Sequence, residues 1–240
     1  MKRSFVVPDD ISDFAGSTAP NGMPVSATAV AESVADVIRE RIIKGDLAAG
    51  ARIVERKLSA ELNVSRTPVR EALKLLRADG LVEISRNCGA QVTGYTPAEA
   101  RQLFDVIAVM ESLAAERLAQ RITPDELDQI EDLHAAMLAY YKVGNVEDYF
   151  DANSAIHDAI IDLCGNAALK DAHKRVMLRT RRGRYLAIMS PVRWKQAVAE
   201  HETLMDALRL RDASAAAAIW RQHLSHTGDT VAAVLSSDET

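Results

Sequence analysis

The chain is poor in cysteine, aromatic residues and long apolar runs, and each shortage excludes a class of protein. Its 240 residues include only Cys88 and Cys164, without a CxxC pair, so neither a disulfide scaffold nor a zinc finger is expected. Aromatic residues make up 5%, which favours helices over a β-sandwich or barrel. No run of about 18 apolar residues occurs and no secretory signal is evident, so we expect no membrane span. These features predict a protein of the reducing cytoplasm.

Excess positive charge is also missing, but the charge is unevenly distributed. The net charge of −5 argues against a uniformly basic nucleic-acid binder. Residues 28–95 nevertheless carry a net +2, whereas the residues from 96 onward carry a net −6. This asymmetry is typical of a nucleic-acid-binding domain joined to an acidic partner domain. Residues 1–27 mix Pro, Gly, Ser and Asp without periodicity and are predicted to form a flexible arm.

Residues 28–95 have the pattern of a winged helix-turn-helix. Apolar periodicity predicts a first helix from Thr28 to Gly45 and a second over 53–63. A third helix begins after Ser65, the candidate N-cap, and ends at Gly80. Two short alternating runs joined by a glycine-containing turn then predict a β-hairpin, with strands at 81–85 and 90–95.

The helix-start signals and breaks in residues 96–235 predict an all-helical antiparallel bundle. Thr96-Pro97 and Thr123-Pro124 each have the signature of a helix start. Later breaks divide the segment into about six helices with short connections. These breaks fall at 144–145, 165–166, 190–191 and 211–212. The expected fold class is therefore mainly α, a winged helix-turn-helix followed by a bundle.

The start of the third helix has the side chains that a DNA-reading helix needs. Arg66, Thr67 and Arg70 crowd its first turns, and arginine and threonine can contact bases and phosphates in a major groove. Arg56 on the preceding helix and the hairpin tip at 86–89 are expected to reach the same DNA. The alternative is that the arginines are solvated charges paired with acidic neighbours. The neighbours expected in that case are Glu61 and Glu71.

Three motifs in this segment resemble the GntR family of bacterial transcription regulators. They are LSAEL at 58–62, VSRTPVREAL at 64–73 and DGL at 79–81. The resemblance implies a winged-helix domain that binds double-stranded operator DNA. Helix-turn-helix proteins usually read two half-sites, so a homodimer is expected. The family's DNA contacts fall, by position, on Arg56, Arg66, Thr67, Arg70 and the wing glycine Gly89.

Three histidines in the second half fall on mostly apolar helix faces and could converge inside a bundle. They are His157, His201 and His223, and Asn153 lies one helical turn before the first of them. Three imidazoles and one oxygen donor suit Zn, Ni, Mn or Fe. The alternative is that each histidine is an ordinary core residue. The other three histidines, His134, His173 and His226, are predicted at the surface.

The second half also resembles the effector domain of the FadR subfamily, the FCD domain. The matching motifs are Met110-Glu111, Ile156-His157, Gly165-Asn166 and Trp220…His223-Leu224. Many members bind a divalent metal through one acidic residue and three histidines, which implies Asn153, His157, His201 and His223 here. Two positions depart from the family: Asn153 replaces the usual Asp, and Ile107 stands where an arginine is common.

The arginine-rich segment 174–184 bears on what the bundle binds. An inward arginine beside a metal favours a small carboxylate effector, because the guanidinium can clamp one oxygen while the metal takes the other. A solvated helix face is the alternative. Two rival functions are a metallohydrolase and a metal that is purely structural. The first lacks an HExxH motif, and Glu200 and Glu202 are expected to point away from the His201 face, so we predict that the chain is not an enzyme.

Overall fold

The structure, a computed structural model, describes residues 27–85 and 89–238, and these are mainly helical with one small sheet. Two compact units meet in the chain between Gly94 and Tyr95. The described part of the first unit contains α1 (Ala27–Ile43), β1 (Arg52–Ile53), α2 (Glu55–Glu61), α3 (Arg66–Ala78), β2 (Val82–Ser85) and β3 (Gly89–Val92). The described part of the second contains α4 (Pro97–Arg121), α5 (Pro124–Lys142), α6 (Val146–Leu163), α7 (Ala167–Ile188), α8 (Pro191–Arg209) and α9 (Ala213–Asp238). The predicted fold class is confirmed.

The core of the first unit forms between α1 and α3, which pack on each other. Val34 and Ile38 of α1 and Val69 and Leu76 of α3 are fully buried. Burial of each such side chain contributes on the order of 1.5–3 kcal/mol, so this apolar seam fixes the face that α3 turns inward. The opposite face of α3 is left for solvent or a partner.

The turn between α2 and α3 follows the sequence prediction closely. Asn63 takes a left-handed conformation with φ of 52°, which asparagine tolerates better than most residues. Ser65 occupies the N-cap position of α3 in extended conformation, but its side chain makes no capping hydrogen bond there. The hydroxyl is therefore not used for capping, contrary to the expectation from its position.

The sheet has three antiparallel strands in the order β1-β3-β2, one more than predicted. Ile84 pairs with Ala90 in the hairpin, and Ile53 of β1 pairs with Ala90 from the other side. The two residues of β1 are too few to show an alternating pattern, so β1 was not predictable, and the helix predicted over 53–63 begins only at Glu55. The hairpin residues 86–88 and the arm residues 1–26 lie outside the described residues.

In the second unit, α4 and α5 begin at the two predicted Thr-Pro sites, each with a complete capping box. The Thr96 side chain accepts a hydrogen bond from the Glu99 amide at 3.2 Å, and Glu99 accepts one from the Thr96 amide at 2.8 Å. Thr123 and Glu126 repeat the arrangement at 3.3 and 2.8 Å. Such a cap contributes about 1 kcal/mol, and here it fixes where α4 starts after the sheet.

The long helices α4, α7 and α9 approach one another closely because glycine replaces larger residues at their contacts. Phe104 of α4 is buried against Gly183 of α7 and Gly228 of α9. A Cβ on Gly228 would lie 2.5 Å from the Phe104 Cβ, which is too close for any real contact. This packing holds α4 in the middle of the site-bearing helices. No helix among the described residues is long and apolar enough to span a membrane.

Candidate metal centre and nucleic-acid interface

The structure brings together the three histidines that the sequence singled out. His157 on α6, His201 on α8 and His223 on α9 each offer one ring nitrogen, and these nitrogens lie within 4.8 Å of one another. All three side chains are buried. The indole of Trp220 stacks on the His223 ring at 4.7 Å between centroids and closes one side of the cluster.

Several nitrogens of this cluster have no hydrogen-bond partner in the described structure. They are Nε2 of His157 and both Nδ1 and Nε2 of His201. Leaving a buried polar atom without a partner costs about 1–3 kcal/mol, so unpartnered nitrogens on two neighbouring rings indicate that a partner between the rings is missing. A divalent metal would satisfy these nitrogens, and the residues present therefore fit one.

The protonation of the histidines also suits metal ligands. Burial lowers the pKa of His157 to about 3 and holds the pKa of His201 well below its usual value. Burial likewise lowers the pKa of His223. The rings are therefore neutral at pH 7, with lone pairs free to bind a metal.

Glu200 does not point away from the cluster, and that prediction was wrong. Its carboxylate is buried and accepts a hydrogen bond from His223 Nδ1 at 2.7 Å. The same carboxylate forms an ion pair with Arg193 at 2.8 Å. Burial alone would raise its pKa, but the bond to His223 and the charge of Arg193 lower it to about 2. Glu200 faces α9 instead of the space between the rings, so it orients His223 and is not free to act as a general base.

Two of the histidines predicted at the surface are buried. His134 lies on α5, and His173 of α7 bonds through Nε2 to Glu111 at 3.0 Å. The position of His173 follows from Glu111, a buried carboxylate on α4 that needs donors around it. The sequence pattern did not place Glu111 in the site, although an acidic residue between the apolar residues 106–110 and 113–115 is a signal of a buried polar contact.

Asn153 is buried on α6, one turn before His157, and it lines a small cavity beside His223. The cavity holds about 10 Å³, the volume of roughly one water molecule. An organic ligand would therefore require its walls to move. The remaining lining residues are Arg184, Ala187, Ile188, Arg193, Ala197 and Thr227.

Arg184 is the arginine of the 174–184 segment that lies in this cavity wall. Its side chain is 3% exposed, and Nε, Nη1 and Nη2 have no hydrogen-bond partner among the described residues. Burial lowers its pKa. Arg179, Arg181 and Arg182 are only half-buried, and Arg181 pairs with Asp158 at 3.9 Å. The side chain of Arg175 lies outside the described residues.

In the first unit, each residue predicted to contact DNA is exposed. Arg66, Thr67 and Arg70 are exposed at the start of α3, while Val69, Leu73 and Leu76 of the same helix are buried. Arg56 is exposed on α2, and Gly89 is exposed at the start of β3 with φ of 72°.

One of these arginines has an acidic partner, as the alternative of solvated charges expects, but the partner is neither Glu61 nor Glu71. Arg70 pairs with Glu55 at 2.8 Å, whereas Glu61 pairs with Arg41 and Glu71 with Lys74. The Arg70–Glu55 pair is exposed and so contributes little to stability. It leaves the Arg70 guanidinium largely exposed.

Comparison with known proteins settles the family. The FCD domain matches residues 102–226, and the gntR family of bacterial regulatory proteins matches residues 30–92. The chain belongs to the GntR family. As a GntR regulator with an FCD domain, it is a DNA-binding transcriptional regulator and not an enzyme, as predicted.

Relatives of this GntR regulator support the assignment. The gluconate operon transcriptional repressor of Bacillus licheniformis is 33% identical over 128 residues, 53% of this chain and 52% of the repressor, so the match spans about half of each. The HTH-type transcriptional repressor RspR of Escherichia coli (strain K12) is 26% identical over 203 residues, 84% of this chain and 89% of RspR.

Solved structures show the same fold. The structure of E. coli McbR/YncC matches with a TM-score of 0.73 at 20% identity. The match covers 90% of the present chain and 100% of the McbR/YncC chain. A putative GntR regulator from Rhodococcus sp. RHA1 has a TM-score of 0.70 at 23% identity, covering 85% and 98%. At these identities the likeness concerns the fold alone.

Proposed function

We propose that the protein is a metal-containing, effector-responsive transcription regulator. Residues 28–95 bind a pseudo-palindromic operator in double-stranded DNA. Residues 96–235 form the dimerisation and effector domain. The observation that carries this proposal is the buried His157–His201–His223 cluster, with its unpartnered nitrogens, in the same bundle as the unpartnered guanidinium of Arg184.

On the DNA side, Arg66, Thr67 and Arg70 contact the major groove, with Arg56 and Gly89 at the backbone. The supporting feature is that α3 buries one face and presents these side chains on the other. Free amides at the start of α3 add affinity for phosphate. With DNA as its partner, the protein works in the bacterial cytoplasm and at the nucleoid.

In the bundle, Asn153, His157, His201 and His223 hold a divalent ion, which is Zn, Ni, Mn or Fe by the chemistry of three imidazoles and one amide oxygen. An ion held by these four ligands would have to be five- or six-coordinate to accept an oxygen of the effector as well. Arg184 binds a second acidic oxygen of the same molecule by charge-assisted hydrogen bonds. The effector is therefore a small carboxylate.

Effector binding must act through a change in the protein, because the cavity beside His223 is too small for a carboxylate as it stands. A ligand that fits only a widened cavity shifts the population towards that conformation. The widened conformation then changes the operator affinity of the dimer by its coupling free energy.

A specific observation favours a second candidate, a metal that only stabilises the bundle. The small volume of the cavity is compatible with a site that binds no effector. In that case the metal would raise stability and leave DNA binding insensitive to small acids.

One experiment separates the two candidates. Operator DNA is first obtained by selection from random duplexes, and its gel shift is then measured with metal-loaded protein, with EDTA and with a panel of C2–C6 carboxylates. The regulator account predicts that at least one carboxylate changes the apparent Kd by fivefold or more, within the roughly 5–150-fold range of allosteric coupling, and that EDTA abolishes this change. Unchanged affinity with every carboxylate would leave the structural-metal account.

A further inference from the structure

Glu111 of α4 is a buried carboxylate at the junction of four helices. It is 1% exposed and bonds to three nitrogen groups. They are His157 Nδ1 at 2.5 Å, His173 Nε2 at 3.0 Å and Trp220 Nε1 at 3.1 Å. These partners come from α6, α7 and α9, so the carboxylate ties three helices to α4.

The bond between Glu111 and His157 determines which nitrogen faces the cluster. A carboxylate accepts only from a protonated nitrogen, so Nδ1 of His157 carries the hydrogen and Nε2 carries the lone pair. Nε2 is also the His157 nitrogen that has no partner in the described structure. Glu111 thereby holds the ring in the tautomer and orientation that a metal ligand needs.

The negative charge of the Glu111 carboxylate is a second feature that suits the proposed metal site. The three imidazoles are neutral, and the amide of Asn153 brings no negative charge where an aspartate would. Glu200, beside His223, is already neutralised by its 2.8 Å ion pair with Arg193. Among the described residues, Glu111 has no arginine or lysine within ion-pair distance. The buried guanidinium of Arg184 acts on it from farther away and balances its charge only in part, so the rest is available to a divalent ion.

We propose that Glu111 is the positioning residue of the metal centre, which orients His157 and supplies the negative charge that Asn153 lacks. This inference rests on the proposed metal site. It predicts that metal affinity depends on a residue that does not touch the metal, and that a carboxylate at position 153 can replace the lost charge.

The test is a zinc titration of metal-stripped full-length protein in competition with a chromophoric chelator. Glu111→Gln keeps the size of the side chain and one acceptor, and it should weaken zinc binding by about 10–100-fold, the usual effect of losing an outer-shell partner. Glu202→Gln is the matched control, because Glu202 is exposed next to His201 and should leave the affinity unchanged. Adding Asn153→Asp to Glu111→Gln should restore most of the lost affinity.

Absorption spectra of the cobalt-substituted proteins test whether the ligands themselves are kept. Glu111→Gln should need more cobalt for saturation but show the wild-type band positions. Wild-type zinc affinity in a folded Glu111→Gln protein would overturn the proposal. The single variant Asn153→Asp provides a test that does not depend on whether Glu111→Gln folds. The Asn153→Asp protein should bind zinc at least about tenfold more tightly than the wild-type protein, and an unchanged zinc affinity would also overturn the proposal. Failure of the wild-type protein to bind zinc would instead refute the metal site itself.

Discussion

At the scale of single residues, the proposed DNA contacts depend on the arginines at the start of α3. Truncation of Arg66 or Arg70 to alanine should cost about 1–3 kcal/mol of operator binding, the usual value of one base contact. Fluorescence anisotropy with labelled operator measures this loss. Dimerisation and metal binding should stay unchanged, because both side chains are exposed and contribute little to stability.

Arg77→Ala is the matched control for this experiment. Arg77 is also exposed on α3 but lies in its last turn, away from the N-terminal end that enters a major groove. Normal operator binding by both Arg66→Ala and Arg70→Ala would mean that another face of the domain reads DNA.

Replacement of His201 should increase the stability of the metal-free protein and weaken its metal binding. Both of its ring nitrogens are buried without partners, so His201→Leu removes about 1–3 kcal/mol of unfavourable burial and should raise the melting temperature of the metal-free protein. It should also abolish the rise in melting temperature that zinc gives the wild-type protein. Differential scanning calorimetry with and without zinc measures both effects.

His134→Leu provides the comparison for His201→Leu. His134 is also buried and its Nε2 has no partner, but it lies outside the histidine cluster. This variant should gain stability and keep the full zinc response. An equal zinc response in His201→Leu and the wild-type protein would contradict the assignment of His201 as a ligand.

The sequence predicted the three clustered histidines because each falls on an apolar helix face, a pattern that one helix reveals by itself. It could not select Arg184 from five arginines in one segment, since which side of α7 faces the cavity depends on the packing of three other helices. His173 and Glu200 were misplaced for the same reason. Each is polar, and each is buried because its partner lies on a different helix.

At the scale of elements, the close approach of α4 and α9 depends on Gly228. An alanine normally stabilises a helix relative to glycine by about 0.5–1 kcal/mol. Here the new Cβ would lie 2.5 Å from the Cβ of Phe104, an atom fixed to the α4 backbone. Gly228→Ala should therefore lower the free energy of unfolding by about 1–3 kcal/mol, as overpacking does.

Urea denaturation measures this change, with Ser225→Ala on the exposed side of the same helix as control. A more stable Gly228→Ala protein would show that α4 and α9 are not packed as described. The helices themselves were predictable from capping signals such as Thr96-Pro97 and Thr123-Pro124, because a cap is local. The close contact at Gly228 was not, because glycine inside a helix does not tell which neighbour approaches it.

At the scale of the whole molecule, an exposed apolar stripe on α4 is the surface where we propose that a second copy of the chain packs. Val106, Val109 and Leu113 follow helical spacing and are 46%, 48% and 39% exposed. Val109→Glu places a charge in the middle of this stripe and should convert the proposed dimer to monomer, as measured by light scattering during gel filtration. Operator affinity should fall with it, because a monomer contacts one half-site.

Val143→Glu serves as the control for this variant, since Val143 is 76% exposed at the end of α5 and outside the stripe. It should remain dimeric. A Val109→Glu protein that stays dimeric would place the interface on another surface.

The claim on which the whole account depends is that the bundle binds a metal among His157, His201 and His223. An anomalous difference map from crystals of zinc-loaded protein, recorded at the zinc edge, tests it directly. The account predicts one peak about 2.0–2.2 Å from a nitrogen of each histidine and from the side-chain oxygen of Asn153. Zinc-loaded crystals with no peak between the three rings would contradict it.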